Sequence, residues 1–505
     1  MDHTNGRRVL AIAVDAAEPT FIRHLIERDE MPALKSLLSS GRWLRVKSPA
    51  GVGSASVWPT FIAGQSPHVH GVYGEWLWDA TTMSLSRYHS NHVTPFWKKL
   101  VESGVSVGIM DVPFMPLIGV SNGFEISEWG PHDIVDVQTR VTPDSIANIV
   151  ERYSPHPLQK HVEVSGPHDY EGLEKVGEAC LRGITARGNL AHALLVETQP
   201  QLALIGYSEI HHSAHYLWHK IEPNHSAYQY GPFAELATTQ PAMTDIYREL
   251  DRQIAQLLTT VEAETSVMVF SLHGMRPAHG TPSFLAPWLC ELGFARMMDW
   301  RAQSWRDRAR SCFANLKRYS PPVFKKLYYN MAPRSLTYQL ALPTIFPRYD
   351  WKHTRAFALP TDQHGWIRVN LIGREAGGTV PADRYDETCE QLDRKLRALR
   401  SDRGESLVHD VIRVAPTVDA AMDQRLPDIV VHWTDAVFAS PLRIAGSKVK
   451  AEAIGQKYVG QHSLEGFCIV NSASNVESDE VRAEDLHLLI TTLLRSASAS
   501  ASSGS

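Results

Sequence analysis

Histidine is the residue type in this sequence that points most clearly to chemistry. The segment Gly206–His219 holds four histidines, and His211 and His215 stand four residues apart. On a helix this spacing puts both imidazoles on one face, where they can bind the same metal ion. An ordinary surface pair would show the same spacing, but the clustering favours a metal site. Glu209 is a further candidate ligand, whereas His212 should point elsewhere.

Three more side chains of metal-binding type stand at or near predicted strand ends. Asp15 follows the apolar run Val9–Val14, His273 follows another apolar run, and His462 lies between glycines. Taken singly, an aspartate here is usually a helix cap and a lone histidine is usually structural. In an open parallel sheet, however, ligands bind outside the carboxyl ends of the strands. Together these loops predict one site shared with the histidine pair.

A serine-containing turn is a candidate anion site. Within Gly51–Gly71, small residues lead into an apolar helix, and Ser54 or Ser56 would lie at or near its N-terminus. Free N–H groups and the helix dipole favour an anion there, such as a phosphoryl group. A serine that only caps the helix would fit the same pattern.

The elements that position these loops alternate between strands and helices. Apolar runs predict strands at Val9–Val14, Val105–Pro113, Leu202–Tyr207, Ser266–Ser271, Gly365–Arg374 and Asp428–Trp433. Helical patterns cover Met31–Gly41, Trp97–Glu102, Leu173–Val196, Ala242–Leu258 and Leu486–Arg495. The alternation predicts an α/β fold with a doubly wound, mostly parallel sheet flanked by helices.

The length of the chain is best explained by one large unit with an insertion. We assign residues 1–280 and 348–495 to a single α/β domain. Residues 281–347 are rich in Arg, Trp, Tyr and Pro without clear strand alternation, which predicts a helical insertion or lid. Residues 496–505 are a low-complexity serine tail that we expect to be disordered.

Composition excludes several classes of protein. The chain has 505 residues, with 50 Lys+Arg against 55 Asp+Glu, and its net charge of −5 argues against binding to nucleic-acid backbones. The 5 cysteines are scattered without a CxxC motif, which excludes a disulfide scaffold and fits a reducing compartment. Without a signal peptide or a membrane-spanning stretch, we expect a cytoplasmic protein that does not bind membranes. The sequence leaves the oligomeric state open.

Taken together, the motifs resemble the alkaline phosphatase superfamily. The closest branch is the type I phosphodiesterase/nucleotide pyrophosphatase group, with its bacterial phosphohydrolases and phosphomutases. The resemblance rests on the loops described above and on the Gly64–Gly71 end of the serine segment, and it runs in order from about Val9 to Val470. It implies an alkaline phosphatase-like fold and two metal ions, usually zinc, about 4 Å apart.

The resemblance implies a ligand set for the first ion and a nucleophile. His211, His215 and His462 would bind the first ion, although the family has an aspartate at the position of His211. Counting back from the end of the serine segment gives Ser54 as the nucleophile, with Ser56 as the fallback.

The ligand set that the resemblance implies for the second ion is incomplete. Asp15, Ser54 and His273 match the family, but Leu272 stands where the family has an aspartate. Leucine cannot bind a metal, so this ion would be held weakly or be absent. Glu209 or His279 could substitute as a ligand.

The leading prediction is a metal-dependent phosphoester hydrolase, phosphodiesterase- or pyrophosphatase-like, in which a metal-activated serine attacks a small anionic substrate. One alternative is a mononuclear zinc enzyme that hydrolyses or transfers a non-phosphate group in a specialised biosynthetic pathway. The other is a non-catalytic binding protein on a decayed hydrolase scaffold. Candidate substrate contacts are Trp58, Tyr73, Arg276 and Arg355.

Overall fold

A nine-stranded mixed sheet is the largest element of the computed structural model. The structure describes residues 7–132, 138–161, 170–222, 224–225, 243–278, 281–282, 284–299, 308, 312, 346–361, 363–438, 442–451, 453–454, 458–471 and 478–495. Across the sheet, the strands are β21 (Glu480–Arg482), β2 (Arg42–Lys47), β20 (Glu465–Val470), β9 (Ser266–Ser271), β1 (Val9–Val14), β8 (Leu202–Tyr207), β5 (Val107–Met110), β6 (Gly123–Ser127) and β7 (Arg140–Thr142).

The centre of this sheet is parallel. β1 pairs in parallel with β8 on one side and β9 on the other, and β5 continues the parallel order to β6. β20 and β7 run antiparallel to their neighbours β9 and β6. The predicted fold class is confirmed. β1, β8 and β9 have the predicted bounds, because strands buried on both faces appear in a sequence as short, continuous apolar runs.

Helices cover both faces of the sheet. The structure describes α1 (Pro19–Glu27), α2 (Pro32–Ser39), α3 (Val57–Ala63), α4 (Pro67–His70), α5 (Trp97–Glu102), α6 (Ala147–Arg152), α7 (Tyr170–Thr198), α8 (Glu209–Leu217), α9 (Met243–Leu258), α10 (Leu285–Glu291), α11 (Tyr385–Arg397), α12 (Val418–Met422) and α13 (Leu486–Arg495). Along β1, Leu10 and Ile12 pack in one apolar layer with α1, α2, α7 and α9. Val9 and Ala11 pack in the opposite layer with α3, α5 and α13. This alternation is the two-residue period of a strand.

A second, smaller sheet has its own core. It is antiparallel, in the order β12 (Ala356–Leu359), β13 (Gly365–Val369), β15 (Ile429–Trp433) and β14 (Val408–Arg413). Apolar side chains from α10 and α11 pack with those of this sheet. The predicted domain division stays a prediction. Most of the predicted insertion 281–347 and the whole tail 496–505 lie outside the described residues.

Short two-stranded ladders complete the described elements. They are β3 (Trp76–Asp79) with β4 (Ser84–Arg87), β10 (Met275–Pro277) with β19 (Gly460–His462), β11 (Thr281–Pro282) with β18 (Ala453–Ile454), and β16 (Leu442–Arg443) with β17 (Lys450–Ala451). Among the helices that the structure describes, none is both long enough and apolar enough to cross a bilayer.

Candidate metal centre

Adjacent parallel strands bring the candidate ligands to one edge of the main sheet. Asp15 follows β1, α8 begins directly after β8 and carries His211, and His273 follows β9. These three strands are neighbours in parallel register, so their carboxyl ends lie side by side. β19 joins this edge because Met275 of β10 pairs with His462.

Three imidazoles converge at this edge. The Nε2 atom of His211 lies 2.9 Å from Nε2 of His215 and 2.9 Å from Nε2 of His462. Nδ1 of His215 donates to the carbonyl oxygen of Gly460 at 2.8 Å, which leaves a lone pair on its Nε2. The predicted histidine pair therefore shares one helix face, and His462 joins it across the fold.

Burial favours the neutral form of two of these rings, His211 and His462. The pKa values of His211 and His462 lie well below the usual value of 6.5, because burial penalises the charged form and neighbouring histidines add to the effect. Burial lowers the pKa of His273 in the same direction. Neutral imidazole is the form that binds metal ions, so the cluster is ready to bind a cation at neutral pH.

Asp15, which follows β1, lies close to several imidazoles at this edge of the sheet. Its Oδ1 accepts a hydrogen bond of 2.9 Å from the indole Nε1 of Trp58. Its Oδ2 lies 3.4 Å from Nδ1 of His211 and 3.8 Å from Nδ1 of His132, and its Oδ1 lies 4.0 Å from Nδ1 of His273. One buried carboxylate thus faces three imidazoles.

His132 is a residue of this site that the sequence reasoning missed, and His212, which was expected to point elsewhere, lies beside it. Together with His211 they form a second group whose ligand atoms lie within 4.8 Å of one another. His132 belongs to the loop after β6, at the same edge of the sheet as the other strand ends. The sequence gives only a weak signal for it, because the strand Gly123–Ser127 contains Glu125 and is not a continuous apolar run.

Leu272 and Glu209 do not supply metal ligands in this geometry. Leu272 is fully buried in the apolar layer that also contains Trp58. Glu209 accepts from Nε of Arg187 at 2.7 Å and lies 2.8 Å from Nε2 of His156. Neither histidine group found in the described part of the chain includes Asp15, His273 or Glu209. Because the Glu209 carboxylate also binds Arg187 and His156, its expected role as a ligand is not supported. His279 lies outside the described residues.

The two serine candidates differ in their surroundings. Ser54 is half-buried and opens a short 3₁₀ turn that leads into α3. Ser56 is fully buried, and its hydroxyl lies 2.7 Å from the carbonyl oxygen of Gly53 and 3.1 Å from that of Pro49. The hydroxyl of Ser56 is therefore engaged with backbone, and Ser54 remains the candidate nucleophile.

Side chains of the second sheet hold the loop that precedes Ser54. Nε2 of His364 donates to the carbonyl oxygen of residue 50 at 3.0 Å, and Nε2 of His432 donates to that of residue 51 at 2.7 Å. The indole Nε1 of Trp366 donates to the carbonyl oxygen of residue 52 at 2.7 Å. We call these three residues the loop clamp. A Cβ atom on Gly53 would lie 1.9 Å from the carbonyl oxygen of Tyr73, so only glycine fits there.

Of the four predicted substrate contacts, two are aromatic residues buried in the protein and two are arginines. Trp58 is buried with its indole N–H on Asp15, so the expected substrate contact there is not supported. Tyr73 is buried too, and its hydroxyl accepts from the backbone N–H of Trp78. Arg355 is exposed, with its guanidinium over the ring of Phe294.

Arg276 is the charged candidate nearest the histidines. It is half-buried in β10, where it pairs with Gln461 of β19, next to His462. Its guanidinium lies 4.0 Å from Asp435.

The donor set fits a divalent metal of the zinc type. Imidazole nitrogen suits zinc and related ions better than it suits magnesium or calcium. Nδ1 of His273 is buried without a hydrogen-bond partner in the described part of the chain, as expected of a ring atom next to a cation position.

Comparison with known proteins identifies the family of this chain. The model of the type I phosphodiesterase / nucleotide pyrophosphatase family matches residues 9–440. No curated protein matches the sequence.

Two solved structures illustrate the likeness. The phosphonoacetate hydrolase of Sinorhizobium meliloti 1021, solved with phosphonoacetate, is 16% identical, with 97% of this chain and 96% of that chain covered and a TM-score of 0.52. The murine ectonucleotide pyrophosphatase/phosphodiesterase 5, solved in an inactive form with AMP, is 12% identical, with 97% and 95% covered and a TM-score of 0.43. The first likeness supports the shared fold. Because the family model spans most of the sequence, the chain belongs to the type I phosphodiesterase/nucleotide pyrophosphatase family of the alkaline phosphatase superfamily.

Proposed function

We propose that the protein is a metal-dependent phosphoester hydrolase, phosphodiesterase- or pyrophosphatase-like, that acts on a small anionic substrate through Ser54. The observation that carries the proposal is the convergence of three ring nitrogens, from His211, His215 and His462, beside Asp15. The family membership supports phosphoester chemistry at this edge of the sheet.

The chain's own residues divide the work of the reaction. A bound cation would supply Lewis acidity and lower the pKa of the serine hydroxyl. His211, His215 and His462 would hold it, and the loop clamp, by holding the backbone of residues 50–52, would help to position Ser54. Ser54 Oγ would form a bond to phosphorus as the ester oxygen leaves, and water would then hydrolyse the phosphoserine.

Charge next to the site favours an anionic substrate. Arg276 lies on β10 one residue after Met275, the residue paired with His462, and its half-buried position would strengthen an interaction with a phosphoryl oxygen. Position 272 is apolar, so one negative charge that would repel the substrate is missing. We propose Arg276 as the substrate contact among the four predicted residues.

A second candidate function follows from the burial of Leu272. With an apolar side chain at this position, the protein would bind one zinc ion and hydrolyse or transfer a non-phosphate group. In this alternative the histidine cluster still binds the zinc ion, but Ser54 does not attack the substrate.

The test combines metal analysis with turnover of bis-p-nitrophenyl phosphate. We expect bound zinc in the purified protein, loss of turnover on chelation and recovery on zinc addition. Ser54→Ala should abolish turnover while keeping the zinc, and Ser56→Ala is the matched control that should keep both. Metal-free protein, or turnover that survives Ser54→Ala, would contradict the proposal. One zinc ion without turnover of either the diester or p-nitrophenyl phosphate would favour the second candidate.

A further inference from the structure

We infer that His225 is a positioning residue for the metal ligand His215, on which it acts through the backbone of residues 459 and 460. This inference deepens the proposed function and rests on it, because it concerns how one ligand of the proposed metal centre is held. His225 follows α8, the helix that carries His215, and is only 2% exposed.

The imidazole of His215 is held by the backbone at the start of β19. Its Nδ1 donates to the carbonyl oxygen of Gly460 at 2.8 Å, and the backbone N–H of Val459 donates to the carbonyl oxygen of His215 at 2.7 Å. The ring of Tyr458 lies beside it, with the two ring centroids 4.8 Å apart. A hydrogen bond to the other ring nitrogen fixes the tautomer and direction of a metal-binding imidazole. The position of the Gly460 carbonyl therefore decides where Nε2 of His215 points.

Glycine at position 460 brings this backbone close to α8. A Cβ atom on Gly460 would lie 2.3 Å from the carbonyl oxygen of Ala214, so β19 lies directly against the last turn of the helix. Glycine also has more conformational freedom than any other residue. The peptide group that precedes it must therefore be held by its neighbours if the Gly460 carbonyl is to keep one direction.

Two donors hold that peptide group. The carbonyl oxygen of Val459 accepts from Nε2 of His225 at 2.8 Å and from the backbone N–H of Ala278 at 2.9 Å. A carbonyl oxygen only accepts, so the donated proton lies on Nε2 of His225. The backbone N–H of His225 donates to the carbonyl oxygen of Glu222 at 3.0 Å, which closes a turn after α8. A continuous set of contacts thus leads from His225, through one peptide group, to the ring of His215.

Loss of the His225 donor should therefore be felt at the metal ligand. One of the two hydrogen bonds to the Val459 carbonyl would be missing, and the Gly460 carbonyl could move away from Nδ1 of His215. We expect weaker zinc binding and a changed geometry at the metal, because His215 would no longer be held in one direction.

Zinc affinity and the cobalt spectrum of the full-length protein test the inference. His225→Gln and His225→Asn are a matched pair, since both supply a neutral amide donor but only the longer glutamine side chain reaches as far as Nε2 of histidine. In competition with a chelator, His225→Gln should bind zinc like the wild type, and His225→Asn about 10-fold more weakly. The visible absorption spectrum of the Co²⁺-loaded protein, which reports the geometry of the ligands, should change in His225→Asn alone.

Thermal unfolding of the metal-free protein separates positioning from a merely structural role. His487→Ala is the control, because it removes a histidine-to-carbonyl hydrogen bond at the start of α13, on the other face of the main sheet, and should keep the zinc affinity and the cobalt spectrum. A lower Tm in His225→Asn with wild-type affinity and spectrum would overturn the inference. Equal losses of affinity in His225→Gln and His225→Asn would overturn it too, since the hydrogen bond would then not be the cause.

The outcomes also separate this inference from the proposed function. Wild-type zinc affinity in His225→Asn together with diester turnover would overturn the positioning role and leave the hydrolase standing. Weaker zinc binding in His225→Asn, restored in His225→Gln, in a protein without any turnover would support the positioning role and overturn the hydrolase.

Discussion

A buried ion network behind the metal centre gives the sharpest stability prediction. Arg187, on α7, binds Oδ2 of Asp111 through Nη1 at 2.6 Å and Oε1 of Glu209 through Nε at 2.7 Å. Glu209 begins α8, which carries His211 and His215, and Asp111 holds the loop of His132. One cation therefore joins the two segments that present histidines.

Two estimates of the effect of Arg187→Met agree. Removing one partner from a buried ion pair costs about 3–5 kcal/mol, because the other charge stays buried without compensation. Burial alone would raise the pKa of Glu209, but Arg187 and His156 outweigh it and lower this pKa from 4.5 to about 2. At about 1.4 kcal/mol per pH unit, that net shift corresponds to about 3 kcal/mol, which combines the burial penalty with the favourable contributions of both Arg187 and His156.

Urea unfolding of the metal-free protein at pH 7, followed by fluorescence, measures this cost. Arg182→Met is the matched control on the same helix, since Arg182 is exposed and its pair with Glu178 is worth about 1 kcal/mol or less. Arg187→Met should also weaken zinc binding about 10–100-fold, because substitutions of residues that hold metal ligands in place typically do so. Equal free energies of unfolding for the two variants would refute the reasoning.

Three further predictions concern single contacts at the same edge. Burial lowers the pKa of His70 from 6.5 to about 4, so its contribution to stability is complete above pH 6.5 and is lost as the pH falls toward 4. His70→Gln should flatten the fall of the urea midpoint over this range, and unchanged slopes would contradict the assignment. Gly53→Ala should lower turnover about 100-fold, because the added methyl group displaces the serine loop. Gly51→Ala is the control and should keep wild-type turnover, since its Cβ would meet nothing closer than 3.6 Å. Similar turnover in both variants would show that the loop tolerates the methyl group. Trp58→Phe removes the N–H that binds Asp15, so it should lower the free energy of unfolding of the metal-free protein by about 1–3 kcal/mol and weaken zinc binding. No change in either measurement would mean that this hydrogen bond does not hold the carboxylate.

The sequence predicted best what depends on local pattern. The bounds of β1, β8 and β9 follow from continuous apolar runs, and the pairing of His211 with His215 follows from helical periodicity. Because the strands are parallel and adjacent, the residues after them meet at one edge. That part of the site could be inferred without coordinates.

What the sequence did not reveal depends on pairing between distant segments. His132 reaches Asp15 only because β5 and β6 extend the sheet beyond β8, an order that no local pattern encodes. Glu209 stands two residues from His211 in the sequence, but its carboxylate turns to Arg187, on the preceding helix. The cytoplasmic location and the range of partners stay predictions.

The loop clamp makes the geometry of the proposed active site, with Ser54 as its proposed nucleophile, depend on the alignment of two cores. The histidines are carried by elements of the large sheet, whereas the backbone of residues 50–52, just before Ser54, is held by His364, Trp366 and His432 of the second core. A rotation of one sheet against the other would therefore change the separation of nucleophile and metal ligands without breaking either core. Substitutions where the two sheets meet, such as those in the loop clamp, would thus change the turnover rate or the size of the accepted substrate. The residues proposed to perform chemistry would stay the same.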